Sequence, residues 1–511
     1  MENRADRLFW SAVAVTLAVK LALAAALPVT TDEAYFTIWG RNPALGYYDH
    51  PPLVGWLLHL VLFFGDAPLL IRLPAVLSTI AIAFGVRSLL RPLDQTKADL
   101  VAAFLLLSPL NVLNVLITTD TPFMVFSFLS VCLLFRAQQR ESYPLYALSG
   151  AALGGAFLSK YFAVILFLAY VAWFIRSRRE PKVARGILLL LLAAAPAVAL
   201  NVVWNYHHCW PNVMFNLFNR NRNESYSLAK VLLFLAAQAY LATPAVVYHL
   251  ARRRATLRAD LSAAWRRIAA AGYAPFVFAF ATPLLFFALV SVRKTVGLHW
   301  VLGFYPFLYL LLFFVLTEQE IAGTIRFTAA FTLVHLLLIG GLLAVPLSLF
   351  QGSRHYATLI MATKPQQLAK HLDRQDGAFT PATPSYGASA LLAYHLGERV
   401  IVFGVGSHHG RQDDLLTDFR RLDGKDVLVV RSSEPKPDEY AGFFREVSQE
   451  RILVDGAQFH LLRGRGFKYA SYREQVLKNI VRKYYDLPRW LPVSPGCDFL
   501  GTSGALEKPP A

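Results

Sequence analysis

An acidic pair and an acid–imidazole pair stand in the first polar segment of the chain, after an apolar N-terminal run. Asp32 and Glu33 are adjacent, and Asp49 precedes His50 further along the same segment. Carboxylates and imidazoles are side chains that accept protons in catalysis and hold hard metal cations. A plainer interpretation is that Asp32 caps a helix together with a neighbouring threonine. Two such pairs in one aromatic-rich segment favour a site over a simple cap.

Two further charged residues, Asp120 and Lys160, each fall between two apolar runs. Pro122 suits the first turn of a helix, so Asp120 has an alternative role at a helix N-terminus. A lysine near membrane depth lines a polar cavity or snorkels to the surface. In a cavity, Lys160 would suit a phosphate group. Both interpretations stay open for each residue.

Later polar segments carry imidazoles and cations. His207 and His208 are adjacent, so at most one of them is expected to face a site. A histidine in such a place is either an interfacial hydrogen-bonding residue or a metal ligand. Cations in these segments would suit an anionic phosphate group held near a general base. They are Arg220, Arg222 and Lys294.

The composition indicates which elements must position these residues. The chain has 511 residues, of which 56% are hydrophobic and 16% charged, and its formal net charge is +17. Soluble domains contain about 25% charged residues. A disordered chain is excluded because it needs low hydrophobicity, and a purely soluble enzyme is disfavoured. The three cysteines form no Cys-x-x-Cys motif and cannot build a disulfide framework.

Apolar runs of membrane length recur as far as about residue 350. Because an α-helix rises about 1.5 Å per residue, about 20 residues cross the hydrocarbon core. The shorter run 53–64 predicts a re-entrant or interfacial helix. About eleven spans are predicted, at 8–28, 69–90, 98–117, 121–137, 145–159, 161–175, 186–204, 228–250, 273–290, 298–316 and 327–350.

The basic residues predict how these spans are oriented. With the N-terminus inside, the inner loops hold most of the Lys and Arg residues, among them the cluster from Arg252 to Arg267. This distribution agrees with the positive-inside rule. The basic excess is therefore attributed to membrane topology and not to nucleic-acid binding. The segments with the candidate residues fall on the outer face.

The composition changes after about residue 353, where charged residues, Gly and Pro increase and no run is long enough to span a membrane. Strands are predicted at 399–403 and 426–430, and helices near 386–396, 411–422 and 468–485. The sequence thus predicts a transmembrane domain, 1–352, and a small α/β domain, 353–511. An odd number of spans places the second domain outside, in the periplasm of a Gram-negative cell.

The first polar segment resembles that of a known family. Thr31-Asp32-Glu33-Ala34-Tyr35, followed by Gly46-Tyr47-Tyr48-Asp49-His50-Pro51-Pro52-Leu53, is similar to the first outer loop of bacterial GT-C glycosyltransferases. These include dolichyl-phosphate-mannose protein mannosyltransferase-like proteins (family 39) and the related lipid A aminoarabinose transferases (family 83). Further segments that match in order are Thr118–Pro122, Leu158–Tyr161, Trp204-Asn205 with Trp210, Ser385–Gly387, Tyr394-His395 and Gly424–Asp426.

The resemblance implies a polytopic α-helical GT-C fold and roles for particular residues. Asp32 matches the catalytic acidic residue of the family, and Glu33 is its neighbour. The residues predicted to bind the donor or its phosphate are Lys160, Asp120, Arg220, Arg222, Lys294, Tyr47 and Tyr48. The residues predicted at a metal site are Asp49, His50 and His207. A divalent cation (Mg²⁺, Mn²⁺ or Zn²⁺) is the one cofactor expected.

The resemblance also implies a reaction. The family transfers a sugar from a polyprenyl-phosphate donor, with inversion, at the outer face of the membrane. We therefore expect a glycosyltransferase of the bacterial inner membrane whose acceptor is lipid A or its core, another envelope glycan, or a protein. The alternatives are a transporter or flippase of a lipid-linked sugar, for which no clear internal repeat is seen, and a non-catalytic scaffold. Expected partners are the donor, the acceptor and the bilayer, not nucleic acid.

Overall fold

Long helices account for most of the chain before residue 345, where the sequence has its apolar runs. The computed structural model describes residues 2–177, 180–221, 225–373, 379–404, 412–492, 494–495 and 497. In lipid, every backbone N–H and C=O group must find a partner within the protein, and a helix supplies these partners within one segment. Apolar runs of this length therefore fold as helices.

The helices are numbered in chain order. The α-helices are α1 (Glu2–Ala26), α2 (Thr31–Arg41), α3 (Leu53–Leu62), α4 (Pro68–Leu90), α5 (Gln95–Leu107), α6 (Pro109–Val112), α7 (Asp120–Gln139), α8 (Tyr143–Ser159), α9 (Ala163–Ser177), α10 (Pro181–His207), α11 (Pro211–Val213), α12 (Leu228–Leu241), α13 (Pro244–Arg252), α14 (Leu257–Ala270), α15 (Ala274–Ser291), α16 (Leu298–Val301), α17 (Tyr305–Val315), α18 (Glu318–Ala344), α19 (Tyr356–Thr363), α20 (Pro365–Asp373), α21 (Tyr386–Leu396), α22 (Gln412–Leu416), α23 (Tyr469–Tyr472) and α24 (Lys478–Tyr484). Shorter 3₁₀ or π turns lie at Met214–Phe218, Asn219–Asn221, Leu302–Phe304, Leu347–Phe350, Phe419–Leu422, Ala441–Phe443 and Arg473–Leu477.

Seven of the predicted spans are confirmed as apolar helices long enough to cross a membrane. An eighth, predicted at 228–250, is a pair of helices, α12 and α13, bent by 96° at the break between them. The break precedes Pro244, which cannot continue a helical hydrogen-bond ladder. In the part of the chain that the structure describes, the seven long helices are Arg4–Ala26, Pro68–Leu90, Asp120–Gln139, Pro181–His207, Ala274–Ser291, Leu298–Val315 and Glu318–Ala344.

The other three predicted spans form shorter helices. The helix predicted at 98–117 ends at Leu107, because Ser108 is extended and Pro109 starts the separate short helix α6. Helices α8 and α9 have 17 and 15 residues, below the usual length of a span. The run predicted as a re-entrant or interfacial segment is the ten-residue helix α3.

The chain forms two compact units that interleave along the sequence. The first comprises Met1–Leu27, Gly65–Ala199 and Asn223–Ala344, and contains the long helices with a core of aliphatic and aromatic residues. The second comprises Pro28–Phe64, Leu200–Arg222 and Val345–Ala511. The second unit therefore joins the segment of Asp32 and Asp49 to a later loop and to the C-terminal region.

Among the described residues of the C-terminal region, a mixed sheet of five strands forms the centre. Strands β1 and β2 are parallel, as are β1 and β3, whereas β5 is antiparallel to both β3 and β4. The order across the sheet is β2-β1-β3-β5-β4. The strands are β1 (Thr380–Thr383), β2 (Ile401–Val402), β3 (Val427–Arg431), β4 (Glu446–Val454) and β5 (Ala457–Arg465).

Apolar clusters cover the two faces of this sheet. One cluster contains Phe403, Val429 and Tyr472, and the other contains Leu428, Val430 and the buried residues of α19 and α20. Consecutive residues of β3 fall into opposite clusters, as expected for a strand buried on both faces.

A disulfide bond links Cys209 to Cys497 within the second unit, with 5.5 Å between the Cα atoms. Next to it, the Trp210 indole N–H donates a hydrogen bond of 2.7 Å to the carbonyl oxygen of Pro492. The cysteine count did not lead us to predict this bond, since three cysteines in a long chain indicate no pairing. The bond ties the end of the C-terminal region to the loop after α10.

Candidate active site

Helix α2 starts with a capping box that fixes the first acidic pair. The Thr30 hydroxyl accepts a hydrogen bond from the Glu33 N–H at 3.3 Å, and a Glu33 carboxylate oxygen accepts one from the Thr30 N–H at 3.0 Å. This reciprocal arrangement satisfies backbone donors at a helix start. Glu33 is fully buried. The structure thus gives Glu33 a structural role and leaves its predicted catalytic role as a prediction.

Asp32 differs from its neighbour in being exposed at the start of α2. The pKa of its carboxyl is raised above the ordinary value, first because nearby protein atoms remove part of its solvation and then through repulsion by Glu33. A carboxylate with a raised pKa binds a proton more readily. The accessible carboxylate of this pair is therefore the one suited to accept a proton from a substrate.

Asp49 interacts electrostatically with Asp32 and is half-buried. Its carboxylate accepts a hydrogen bond of 3.4 Å from the Tyr35 hydroxyl, which in turn accepts one of 3.2 Å from the Gln412 N–H. The pKa of Asp49 is raised to about 7, chiefly by burial and also by the charge of Asp32, against the opposing effects of hydrogen bonds and Arg220. Asp49 thus changes its charge near neutral pH.

Arg220 is the cation that acts on this group. It lies in the 3₁₀ turn Asn219–Asn221, with its guanidinium carbon 5.9 Å from the centre of the Phe215 ring. Partial burial lowers its pKa, and the charge of Asp49 opposes this shift. Of the predicted phosphate-binding cations, Arg220 is therefore in electrostatic contact with the acidic cluster. Arg222 lies outside the described residues.

Asparagine amides hold the backbone of the loop that carries Asp49. The Asn212 amide donates to the carbonyl oxygens of Tyr47 and Tyr48, at 2.5 and 2.9 Å, and accepts a hydrogen bond of 3.0 Å from Asn205. The Asn216 amide donates to the Asp49 carbonyl at 3.3 Å. Asn205, Asn212 and Asn216 form what we call the amide ladder. It connects the end of α10 to the loop of the acid–imidazole pair Asp49-His50.

The two predicted donor-binding tyrosines belong to this loop, and their side chains are buried. The Tyr47 ring stacks on Trp39 with 4.4 Å between ring centres, and its hydroxyl donates to the Trp39 carbonyl at 2.9 Å. Tyr48 is packed within the core of the C-terminal region. The His50 ring lies 6.3 Å from that of Trp39. These contacts explain the aromatic richness of the segment, and donor binding by Tyr47 and Tyr48 stays a prediction.

Lys160 and Asp120 form a buried ion pair within the first unit. The lysine Nζ lies 2.7 Å from an Asp120 carboxylate oxygen and 4.8 Å from the centre of the Phe162 ring. Lys160 is 6% exposed, so it does not snorkel as the alternative interpretation held. Asp120 is the first residue of α7, and the cap position is Thr119. Lys294, also in this unit, lies 5.9 Å from the centre of the Trp300 ring.

The predicted metal ligands do not form a cluster in the part of the chain that the structure describes. No group of three or more His, Cys, Asp or Glu side chains there could hold a metal ion. His207 is exposed, and its ring lies 5.2 Å from that of Tyr206. His208 instead stacks on Trp204, with 4.4 Å between ring centres. Since the donor set is incomplete, we derive no chemical step through a metal ion.

Three residues of the cluster were not singled out as site residues in the sequence. Tyr35 and Gln412 form the hydrogen-bonded chain to Asp49, and Tyr386 packs on Tyr35 with 5.2 Å between ring centres. Burial raises the pKa of Tyr386, and the charges of Asp32 and Asp49 raise it further. The segment Ser385–Gly387 matches the family in sequence, and this match is the signal that points to Tyr386. The contact with α2 could not be inferred without the fold.

Known proteins resemble this chain over part of its length. The family model "Dolichyl-phosphate-mannose-protein mannosyltransferase" matches residues 49–204. A curated relative, the lipid A galacturonosyltransferase RgtD of Rhizobium johnstonii, is 28% identical over 182 residues, which are 35% of this chain and 38% of that protein. The alignment thus spans well under half the length of this curated relative.

Solved structures match the fold over most of the chain. ArnT from Cupriavidus metallidurans in the apo state has a TM-score of 0.58 at 14% identity. The same protein bound to undecaprenyl phosphate has a TM-score of 0.59 at 15% identity. Each comparison covers 88% of this chain and 97% of the other. Together with the family match, these likenesses confirm the predicted resemblance of this chain to the GT-C glycosyltransferases.

Proposed function

We propose that this protein transfers a sugar from a polyprenyl-phosphate donor to an acceptor of the cell envelope. The observation that carries the proposal is the exposed carboxylate of Asp32, with a raised pKa, beside Asp49 and Arg220. The family match and the ArnT-like fold support the class of reaction. RgtD acts on lipid A by its name, which supports lipid A or its core as the acceptor.

In the proposed reaction, one proton is transferred, one bond forms and one bond breaks. Asp32 accepts the proton of an acceptor hydroxyl as that oxygen forms a bond to the anomeric carbon of the donor sugar. The bond from this carbon to the phosphate oxygen breaks, and polyprenyl phosphate leaves with the electron pair. Attack from the face opposite the phosphate inverts the configuration. These steps are the same for a hexose and for a pentose.

The leaving phosphate gains negative charge, and a nearby cation would stabilise it. Arg220 is our candidate, because the charge of Asp49 already acts on its pKa and the guanidinium therefore lies near the acidic cluster. Its guanidinium can donate two parallel hydrogen bonds to a phosphate. Lys160 and Lys294 belong to the other compact unit and stay separate predictions. A divalent cation is retained as a proposal, tested by activity with and without a chelator.

The proposed location is the inner membrane of a Gram-negative cell, with the second unit on the periplasmic side. The distribution of basic residues along the chain supports this orientation. The disulfide between Cys209 and Cys497 supports it independently, because such bonds persist in the oxidising periplasm and are rare in the cytosol. Because Asp32 belongs to the second unit, we place catalysis at the periplasmic face in this proposal.

A transfer assay tests the proposal. The full chain in phospholipid nanodiscs is incubated with a radiolabelled polyprenyl-phosphate sugar and a lipid A fraction, and the products are separated by thin-layer chromatography. We expect label in the acceptor and free polyprenyl phosphate in equal amounts. The alternative function, a flippase, is tested in proteoliposomes loaded with the same donor. Movement of intact donor across the bilayer, with no labelled acceptor, would replace the enzyme by a flippase.

A further inference from the structure

A cavity of about 300 Å³ opens in the second unit, beside the first residue of α2. Its walls come from the starts of α2 and α21, from α19 and from the end of β3. Small-molecule sites in proteins have volumes of about 300 Å³ or more. The cavity is therefore large enough for a small ligand, and none of the proposed catalytic steps uses it.

The position of the cavity in the sheet favours ligand binding. Pro384 and Ser385 directly follow β1, and Ser432 and Ser433 directly follow β3, so the cavity lies at the carboxyl ends of two neighbouring parallel strands. After β1 the chain passes through α21 to β2, whereas after β3 it passes to β4 and β5 at the opposite side of the sheet. Connections that diverge in this way leave a crevice, where ligands bind in open α/β sheets.

The walls of the cavity are partly hydroxylated and partly apolar. Hydroxyl groups are contributed by Thr31, Thr358, Ser385, Tyr386, Ser432 and Ser433. Ala362, Pro384 and Ala388, which are exposed or half-buried, supply apolar surface. A sugar ring has the same division, because its hydroxyl groups project from the rim and its C–H groups form the faces. The walls therefore match a saccharide better than a purely apolar ligand.

The charge of the cavity favours an uncharged ligand. Arg431 is the one charged residue of its walls among the described residues. Its guanidinium donates to a Glu439 carboxylate oxygen at 2.7 Å and to the Ser433 hydroxyl at 3.4 Å. An anionic ligand would have to compete with Glu439 for this cation. A neutral ligand needs no such exchange.

The start of α21 brings backbone donors to the cavity. The first N–H groups of a helix have no acceptor within that helix, and the side chain of the cap residue Ser385 does not accept from them in the described part of the chain. Gly387 is closely packed, since a Cβ there would lie 2.6 Å from the Thr31 methyl carbon. The donors of α21 thus lie next to the residue that precedes Asp32.

We propose that this cavity is a saccharide site that binds an uncharged sugar ring of the acceptor. The identity of that ring as part of the acceptor rests on the proposed function, whereas the binding of a sugar in the cavity does not. Hydroxyls of the ring accept from the start of α21 and exchange hydrogen bonds with Ser385 and Thr358. Its apolar face packs on Ala362 and Ala388.

Saturation-transfer NMR on the full chain in nanodiscs tests this site, since maltoside detergents carry sugars of their own. The probe is methyl β-D-glucopyranoside. We expect saturation transfer with the unmodified chain and its loss in Ser432→Trp, which fills the cavity from an exposed position. Ser448→Trp, an exposed serine of β4 that does not line the cavity, is the matched control and should retain the signal. Ser385→Ala and Thr358→Val should each weaken binding about two- to tenfold.

The outcomes separate this site from the proposed function. Saturation transfer that is absent from the unmodified chain, or equal in Ser432→Trp and Ser448→Trp, would overturn the site. A methyl galacturonoside that binds more tightly than the glucoside would overturn its assignment to uncharged ligands. If the site is real and the function correct, Ser432→Trp loses transfer to the acceptor but still binds undecaprenyl phosphate. Sugar binding without any transfer by the unmodified chain would refute the function and keep the site.

Discussion

At the scale of single residues, the carboxyl group of Asp49 should make stability depend on pH. Its pKa is raised in the folded protein from 3.8 to about 7, chiefly by burial. Between these values the folded state retains a proton that the unfolded state has lost, so stability falls as pH rises through this window. We expect Asp49→Asn to raise the thermal midpoint at pH 8 by more than at pH 4.5, measured by differential scanning fluorimetry.

Asp418 is a control because its pKa is shifted in the opposite direction to that of Asp49. Hydrogen bonds from Arg420 hold the pKa of this carboxyl below its ordinary value, so its ionised form stabilises the fold above about pH 4. Asp418→Asn should therefore lower the midpoint at pH 8. Equal effects of Asp49→Asn at both pH values would show that Asp49 does not titrate in this window.

The ion pair of Lys160 and Asp120 permits a test of two roles of Lys160, one in stability and one in binding the donor phosphate. Both side chains are buried, and removal of one partner of a buried pair costs about 3–5 kcal/mol because the other charge is left uncompensated. Lys160→Met should therefore destabilise strongly, and addition of Asp120→Asn should restore most of the stability. If Lys160 also binds the donor phosphate, affinity for undecaprenyl phosphate stays reduced in the double variant. Recovery of both properties would leave the lysine a purely structural role.

At the scale of elements, the amide ladder should set the position of the loop that carries Asp49. Asn212→Ala removes both hydrogen bonds to the carbonyls of Tyr47 and Tyr48. We expect turnover to fall about 10- to 100-fold, since a displacement of about 1 Å at a catalytic group has an effect of this order. The matched control is Asn219→Ala in the same loop, whose amide donates to the Tyr484 carbonyl.

Turnover and thermal midpoint are measured for both asparagine variants, together with the pH dependence of turnover. Displacement of Asp49 changes its contact with Tyr35, so the pH profile of Asn212→Ala should shift, whereas that of Asn219→Ala should not. A loss of stability in Asn212→Ala with unchanged turnover per folded molecule would mean that the ladder holds the fold but does not position Asp49.

The elements differ in how far the sequence predicts them. The long apolar helices follow from hydropathy because lipid leaves the backbone no alternative. The hairpin of β4 and β5 was missed, although Asp455 and Gly456 stand at its turn with φ of 52° and 75°. An Asp-Gly pair between two strands is a strong signal of such a turn. The exposed outer positions of β4 weakened the apolar pattern on which our strand predictions relied.

At the scale of the whole chain, the disulfide should stabilise the second unit. Cys209 and Cys497 are 288 residues apart, and closure of a long loop restricts the unfolded chain, with a typical contribution of about 2–4 kcal/mol. We expect Cys209→Ser to lower the thermal midpoint and to make the C-terminal region more sensitive to trypsin. Cys132→Ala, which removes the free cysteine, is the control and should leave trypsin sensitivity unchanged.

The composition of the site shows where sequence reasoning stops. Asp32 and Asp49 were predicted from their types and spacing, and the fold places them in one electrostatic cluster with Arg220. Gln412 and Tyr386 join this cluster from the C-terminal region, more than 300 residues away in the sequence. No local pattern encodes such a contact, because it depends on how the C-terminal helices pack on α2. The disulfide was missed for the same reason.

The central claim is that Asp32 removes the proton from the hydroxyl group of the acceptor, and turnover in Asp32→Asn tests it most directly. Transfer from a labelled polyprenyl-phosphate sugar is measured in nanodiscs for the unmodified chain, Asp32→Asn and Glu33→Gln, with undecaprenyl phosphate binding as the check on folding. Glutamine preserves a capping box, so Glu33→Gln should retain most of its activity. Loss of a general base lowers the rate about 10²–10⁴-fold, and Asp32→Asn should show this loss with donor binding intact. Near-normal turnover in Asp32→Asn would contradict the account.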